Sequence, residues 1–113
     1  MSLIYKKILR KANAALSAGD YKRFLSFCSD ESVWTFVGRK TLRGKAAINE
    51  FMKTAYPEPP EFTVDQVISD GEFLTAAGKI NIKGEDGSRK YYFYCNIWRF
   101  QEGQIYGLKA FII

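Results

Sequence analysis

The sequence of 113 residues contains no histidine, and this absence limits the chemistry that its side chains can perform. A nucleophile activated by histidine and a metal site that includes histidine both need an imidazole, so both classes are excluded. The two cysteines, Cys28 and Cys95, are too few for a disulfide framework or a thiolate metal site. We expect two buried free thiols, no metal and no cofactor. Any proton transfer would depend on carboxylates, lysines or tyrosines.

One polar residue, Asn96, lies among apolar neighbours in the aromatic-rich stretch from Tyr91 to Phe100. A buried amide without partners costs about 1–3 kcal/mol, so Asn96 needs hydrogen bonds. Its amide nitrogen can donate to a ligand carbonyl, which makes Asn96 a candidate ligand-binding residue. The alternative is a core asparagine bonded to a tyrosine hydroxyl or to water.

Several ionisable residues are weaker candidates. Asp30 and Glu31 precede a predicted strand, where Asp30 is typical of a turn or cap, and Asp65 lies on a later strand. Thr75 and Lys79 share one face of a predicted strand, because side chains alternate along a strand. If that face points inward, Lys79 is a desolvated amine or an anchor for an acidic ligand. A shifted register would turn both residues outward, and a surface lysine is the alternative.

The elements that must position these residues follow from apolar spacing. Helices are predicted at residues 3–16, 21–28 and 45–55, with a stop at Gly19 and an N-cap at Asp20. Strands are predicted at residues 33–37, 62–69, 73–83, 91–100 and 105–113, with a basic loop at 38–44. Short turns join the last four strands, which favours antiparallel pairing. The order ααβαββββ predicts one α+β domain over residues 1–113, with three helices covering one face of a curved antiparallel sheet.

The charge of the chain is basic: 17 Lys and Arg stand against 12 Asp and Glu, for a net charge of +5. The basic residues are spread along the sequence rather than clustered, so we expect no nucleic-acid partner. No run of eighteen apolar residues occurs, and the N-terminal apolar positions are mixed with lysines. We therefore expect a cytoplasmic protein with no membrane partner.

Four short segments, in this order, carry a resemblance to a known family. They are residues 18–21 (AGDY), 29–34 (SDESVW), 43–48 (RGKAAI) and 98–105 (WRFQEGQI). Together they resemble the SnoaL-like and ketosteroid-isomerase-like branch of the nuclear transport factor 2-like superfamily, which has a cystatin-like fold. The resemblance implies a cone-shaped half-barrel with a pocket between the concave sheet face and the helices.

Under this resemblance, a row of residues from three strands faces the pocket. The row comprises Trp34, Phe36, Tyr94, Asn96, Trp98, Leu108, Ala110 and Ile112. Each strand's members keep the period of two that an inward face requires, although such residues can equally fill a core. In ketosteroid isomerases, the position that matches Asn96 carries a protonated aspartic acid. The position that matches Phe36 carries the general base, and the position that matches Ala12 carries a tyrosine. A phenyl ring cannot accept a proton, so we expect no catalysis of that type.

On the strand predicted at residues 91–100, the residues that alternate with this row are also apolar: Tyr91, Phe93, Cys95 and Ile97. An exposed apolar row is typical of an interface, so we expect a homodimer through the convex sheet faces. The sequence favours a protein that binds a small hydrophobic molecule. The first alternative is an isomerase-, cyclase- or hydrolase-type enzyme on a hydrophobic carbonyl substrate, and the second is a dimeric scaffold or interaction module.

Overall fold

The computed structural model describes residues 2–113. The elements within them are α1 (Ser2–Ser17), α2 (Tyr21–Ser26), β1 (Cys28–Phe36), β2 (Lys40–Arg43), α3 (Lys45–Ala55), β3 (Glu61–Phe62), β4 (Gln66–Asp70), β5 (Phe73–Lys83), β6 (Arg89–Gln101) and β7 (Gln104–Ile112). The strands form one sheet in the order β2-β1-β7-β6-β5, and both β3 and β4 pair with β5. Across residues 2–113, no helix is long and apolar enough to cross a membrane.

The predicted α+β arrangement is confirmed, with three helices packed on one face of the sheet. Phe24 and Ile48 from the helices are fully buried in the same core as Leu74, Phe100 and Ile105 from the strands. Burying such side chains contributes about 1.5–3 kcal/mol each, so this layer of contacts is the main source of stability. We call the sheet face that meets the helices the inner face, and the opposite one the outer face.

The predicted boundary between the first two helices is also confirmed. Gly19 has φ 77°, and the amides of Gly19 and Asp20 bond to the carbonyls of Leu16 and Ala15 at 3.1 and 2.9 Å. This is the Schellman arrangement, in which a left-handed glycine ends a helix. The Asp20 carboxylate then accepts from the amide of Arg23 at 3.1 Å and caps α2.

Three segments differ from the prediction. The basic loop at 38–44 contains β2, which pairs antiparallel with β1, and residues 28–31 begin β1 rather than end a helix. The predicted strand 62–69 is divided into β3 and β4. Single-sequence patterns miss such short strands because backbone pairing, rather than alternation of their own side chains, holds them in place.

The sheet is mixed rather than antiparallel throughout, because β1 lies parallel to β7. Their register pairs Trp34 with Leu108 and Phe36 with Ala110, after an irregularity between Cys28 and Val33. In that irregular stretch, the buried Ser32 hydroxyl donates to the carbonyl of Ile105 at 2.7 Å. This bond satisfies a polar group inside the core and ties β1 to the start of β7.

The segment between α3 and β4 passes directly over β5 at Gly78. The Thr63 amide bonds to the Lys79 carbonyl at 2.8 Å, and the Tyr94 hydroxyl donates to the Thr63 carbonyl at 2.6 Å. A Cβ atom on Gly78 would lie 2.1 Å from the Thr63 carbonyl oxygen. Position 78 therefore requires glycine, because any side chain would push this segment off the sheet.

The variant Gly78→Ala should destabilise the protein by about 2–3 kcal/mol, since overpacking against a backbone atom costs on that order. Urea unfolding monitored by circular dichroism measures the change. Gly107→Ala is the matched control, because a Cβ there meets its nearest atom at 3.4 Å, also within a strand. Equal losses in the two variants would contradict the close approach at Gly78.

Burial raises the pKa of the Tyr94 hydroxyl to about 12, and the nearby Asp65 charge adds to the increase. The unfolded chain loses this proton near pH 10, whereas the fold keeps it, so unfolding releases a proton between pH 10 and about 12. Stability should therefore be intact below pH 10 and fall as the pH rises through that window. Tyr94→Phe should make the fall shallower by about 1.4 kcal/mol per pH unit. Chemical unfolding at several alkaline pH values measures this slope, and an unchanged slope would contradict the assignment.

Candidate functional site

A pocket lies between the inner sheet face and α1, with the segment after α3 along one side. Its lining consists of Asn13, Leu16, Trp34, Phe36, Tyr56, Phe62, Ala76, Ile80, Tyr94, Asn96, Trp98, Leu108, Ala110 and Ile112. All eight strand residues expected to face a pocket are in this set. The structure therefore brings them together in one place.

The sheet register explains why they meet. It forms two rows across β1, β7 and β6: Trp34, Leu108 and Trp98 in the first, and Phe36, Ala110 and Asn96 in the second. The small side chain of Ala110 lies between the phenyl ring and the amide of the second row. Cross-strand neighbours lie about 5 Å apart, so each row acts as one continuous surface.

Aromatic side chains occupy most of the space between these rows. The Trp34 ring meets Trp98 at a centroid distance of 6.2 Å and Phe36 at 6.4 Å, both edge-on. The cavity that remains is about 60 Å³ and is not closed off from solvent. It is smaller than the roughly 150 Å³ that holds a benzene molecule in a dry protein cavity.

Two polar atoms at this pocket have no hydrogen-bond partner although both are buried. They are the indole nitrogen Nε1 of Trp34, which is a donor, and the amide oxygen Oδ1 of Asn96, which is an acceptor. An unsatisfied buried polar atom costs about 1–3 kcal/mol, and native structures contain few of them. The pocket therefore lacks an acceptor for Trp34 Nε1 and a donor for Asn96 Oδ1.

The titratable groups of the pocket lining, within residues 2–113, are tyrosines. Burial raises the pKa of Tyr56 to about 12, with a further increase from Tyr21, and burial likewise raises that of Tyr94 to about 12. Both hydroxyls keep their protons at neutral pH, and the Tyr94 proton is already donated to Thr63. The described lining contains no carboxylate and no basic side chain. The polar groups of the described lining are therefore neutral at this pH.

Thr75 and Lys79, which the sequence analysis gave as weaker candidates for the pocket, lie on the outer face. The inward positions of β5 are Ala76 and Ile80, and Lys79 pairs with Phe93 across the sheet. The contact between Gly78 and Thr63 helps fix which face of β5 turns inward, and strand alternation then places Lys79 outward.

The candidate carboxylates also lie outside the pocket. Asp65 is exposed, and Asp30 forms an exposed ion pair with Lys45 at 3.6 Å, while Glu31 is exposed beside it. Over residues 2–113, no three Cys, Asp or Glu side chains come together in a way that could hold a metal ion. Acid–base chemistry in the pocket would thus have to use the two tyrosines.

The row expected on the convex side lies on the outer face. Tyr91 is 74% exposed and Phe93 60% exposed, whereas Cys95 and Ile97 are half-buried. Phe111 of β7 pairs with Cys95 and is 40% exposed, so the apolar surface extends onto the neighbouring strand. These residues form an apolar patch on the outer face of β6 and β7, on the side of the sheet opposite the helices.

Sequence patterns missed Ala76 and Ile80 on β5 and the pocket residues that do not belong to the long strands. Asn13 and Leu16 come from α1, and Tyr56 and Phe62 from the segment after α3. The one available signal was Asn13, a polar residue between the buried Ala12 and the half-buried Leu16 on an amphipathic helix. The position of the segment after α3 depends on its bonds to β5, which leave no periodic pattern.

Solved structures of the same fold are similar over nearly the whole chain. An NTF2-like protein of unknown function from Cytophaga hutchinsonii is 24% identical, with a TM-score of 0.79, and the match covers 100% of this chain and 99% of that one. The epoxide hydrolase/cyclase-like enzyme SalBIII is 16% identical with a TM-score of 0.88, over 96% and 89% of the two chains. An epoxide hydrolase of M. tuberculosis is 15% identical with a TM-score of 0.84, over 95% and 80%. These similarities show the fold.

Among curated proteins, none matches this chain. The family described as the SnoaL-like domain matches residues 9–108, which include the whole first row of the pocket and, of the second row, Phe36 and Asn96 but not Ala110. With the three helices, the mixed sheet and the pocket in place, the protein has the fold of NTF2-like proteins and belongs to the family of SnoaL-like domains.

Proposed function

We propose that this protein binds a small, uncharged, mostly apolar molecule in the pocket. The observation that carries the proposal is the pair of buried, unpartnered atoms, Trp34 Nε1 and Asn96 Oδ1. Ligand pockets are typically apolar, with a few polar groups that fix orientation, and this lining has that composition. A ligand group that both accepts and donates a hydrogen bond, such as an amide or a hydroxyl, would satisfy the two atoms.

The burial of the lining indicates how such a ligand would lie. Among the lining residues, six are buried, whereas others such as Leu16 are half-buried; the buried ones are Trp34, Ala76, Tyr94, Trp98, Leu108 and Ala110. The cavity of about 60 Å³ admits only a few atoms. The polar end of a ligand therefore enters the cavity, and its apolar part lies against the half-buried side chains.

Catalysis in the pocket has less support. Relatives of the same fold include the epoxide hydrolase/cyclase-like SalBIII and the M. tuberculosis epoxide hydrolase, so an enzyme remains the alternative. General acid–base catalysis works best with groups whose pKa lies near the working pH. The two tyrosines of this lining have pKa values near 12, which favours binding over proton transfer.

A scaffold role is the second alternative, and the aromatic packing favours it. If Trp34, Phe36 and Trp98 simply fill the cone, the two unpartnered atoms would be satisfied by water. The scaffold alternative therefore predicts that no small molecule raises the melting temperature. Binding measurements distinguish the two functions directly.

Benzamide, which carries both an acceptor and a donor, should raise the melting temperature at millimolar concentrations, because a ligand bound only to the folded state stabilises it. Toluene and benzoate have similar rings, but toluene has no polar group and benzoate is charged. We expect a smaller shift with toluene and none with benzoate, measured by differential scanning fluorimetry and titration calorimetry.

Asn96→Leu and Trp34→Phe should each weaken benzamide binding about tenfold, since one hydrogen bond in a buried site contributes on the order of 1.4 kcal/mol. Neither should weaken toluene binding. Gln101→Leu is the matched control, because Gln101 lies on the same strand outside the pocket lining. Failure of benzamide and of toluene alike to shift the melting temperature would contradict the proposal.

We also propose that two copies of the chain associate through the outer sheet faces, in the cytoplasm. The apolar patch of Tyr91, Phe93 and Phe111 supports this association, because large exposed apolar patches are typical of interfaces. Lys79 and Lys109 border the patch, which gives it the polar rim that interfaces usually have.

Phe93→Glu should convert the dimer into a monomer, because it places a charge at the centre of an apolar contact. Light scattering after size-exclusion chromatography at micromolar concentration measures the mass. Val37→Glu is the matched control, since Val37 is 45% exposed but lies outside the outer-face patch. A monomeric wild-type protein would contradict the proposed dimer.

A further inference from the structure

The net charge of the chain is concentrated in one half of the sequence. Residues 1–56 contain eleven Lys and Arg against four Asp and Glu, a net charge of +7. Residues 57–113 contain six against eight, a net charge of −2. Since the first half holds all three helices, the positive charge lies mainly on the helical side.

The cations on the helices are exposed. Exposed lysines and arginines occur on α1, α2 and α3: Lys7, Arg10, Lys11, Lys22, Arg23 and Lys53. We call these six residues the basic helical surface. In residues 2–113, the cations that form ion pairs are instead Lys45, Lys83, Arg89 and Arg99. Within residues 2–113, none of the six residues of the basic helical surface forms an ion pair.

Exposed aliphatic side chains lie at the start of α1, beside the basic residues of that helix. Leu3 and Ile4 are 65% and 53% exposed, and at 100° per residue they share one stripe of the helix with Lys7, Arg10 and Lys11. The opposite side of α1 is buried in the core. The outward stripe of α1 thus combines basic residues with exposed aliphatic side chains, which is the composition of helices that contact lipid headgroups.

We infer that the basic helical surface docks on an anionic lipid bilayer, with Leu3 and Ile4 entering the headgroup region. The negative surface potential of such a membrane attracts clustered lysines and arginines. Single-stranded nucleic acid fits less well, because it binds stacking platforms of exposed aromatic rings. The most exposed aromatic residues, Tyr91 and Phe93, lie on the outer sheet face, away from the helices. The proposed contact with the bilayer is peripheral and needs no membrane-spanning segment. The expectation of no membrane partner rested only on the lack of such a segment.

Co-sedimentation with vesicles tests this inference on the full chain. The protein should bind vesicles of phosphatidylcholine and phosphatidylserine in a ratio of about three to one, and should not bind phosphatidylcholine alone. Binding should fall steeply between about 0.05 M and 0.5 M salt, because screening shortens the range of the attraction. Equal binding to both vesicle types, or binding to neither, would overturn the inference.

The double variant Lys7→Glu with Lys11→Glu should weaken vesicle binding more than tenfold, since each cation near the surface contributes roughly a fivefold gain. Lys90→Glu with Arg43→Glu makes the same change in net charge on strands β6 and β2 and should have a much smaller effect. Both doubles should retain the wild-type circular dichroism spectrum and benzamide response, which separates this test from the pocket. Equal losses in the two doubles would overturn the inference.

Leu3→Ser with Ile4→Ser should reduce vesicle binding several-fold. Fluorescence anisotropy with a labelled oligonucleotide of about 20 bases provides the competing measurement. Oligonucleotide binding that depends on Lys7 and Lys11, without vesicle binding, would assign the basic helical surface to nucleic acid and overturn the inference.

Discussion

The parallel pairing of β1 with β7 is the constraint on which the pocket depends. It joins a strand from the first third of the chain to the last strand, and it places Trp34 beside Leu108 and Phe36 beside Ala110. Because β7 also pairs with β6, the same register continues to Trp98 and Asn96. One residue of slip in β1 would turn both aromatic rings away from the core. The bond from the Ser32 hydroxyl to Ile105 reinforces the start of this pairing without adding an unsatisfied polar group.

The pocket, the outer sheet face and the helices differ in their chemistry. The described pocket lining is uncharged, the outer face carries aromatic residues, and the positive charge lies on the helices. This separation has a physical basis, because a charge placed in the pocket would need a partner or a large shift of its pKa. The SnoaL-like fold can therefore present three surfaces of different chemistry without one disturbing another.

The elements that local patterns predict well are those whose residues interact with near neighbours. The three helices, the stop at Gly19 and the cap at Asp20 depend on contacts within a few residues. The division of residues 62–69 and the strand β2 were not predicted, because partners elsewhere in the sheet hold these segments. The predicted residues on β1, β6 and β7 lie on one face of the sheet, since alternation along one strand fixes which side chains share a face.

The period of two along each strand can be read from the residues alone, and so can the missing histidine, which excludes several catalytic classes. Contacts between distant segments set which face of β5 turns inward, with Ala76 in the pocket and Lys79 outside it. The same contacts bury Trp34 Nε1 and Asn96 Oδ1 at one pocket without partners. The reason is that alternation of side chains is a property of one strand's backbone. Which face turns inward, and whether a buried polar atom finds a hydrogen-bond partner, depend on groups brought together from distant parts of the chain.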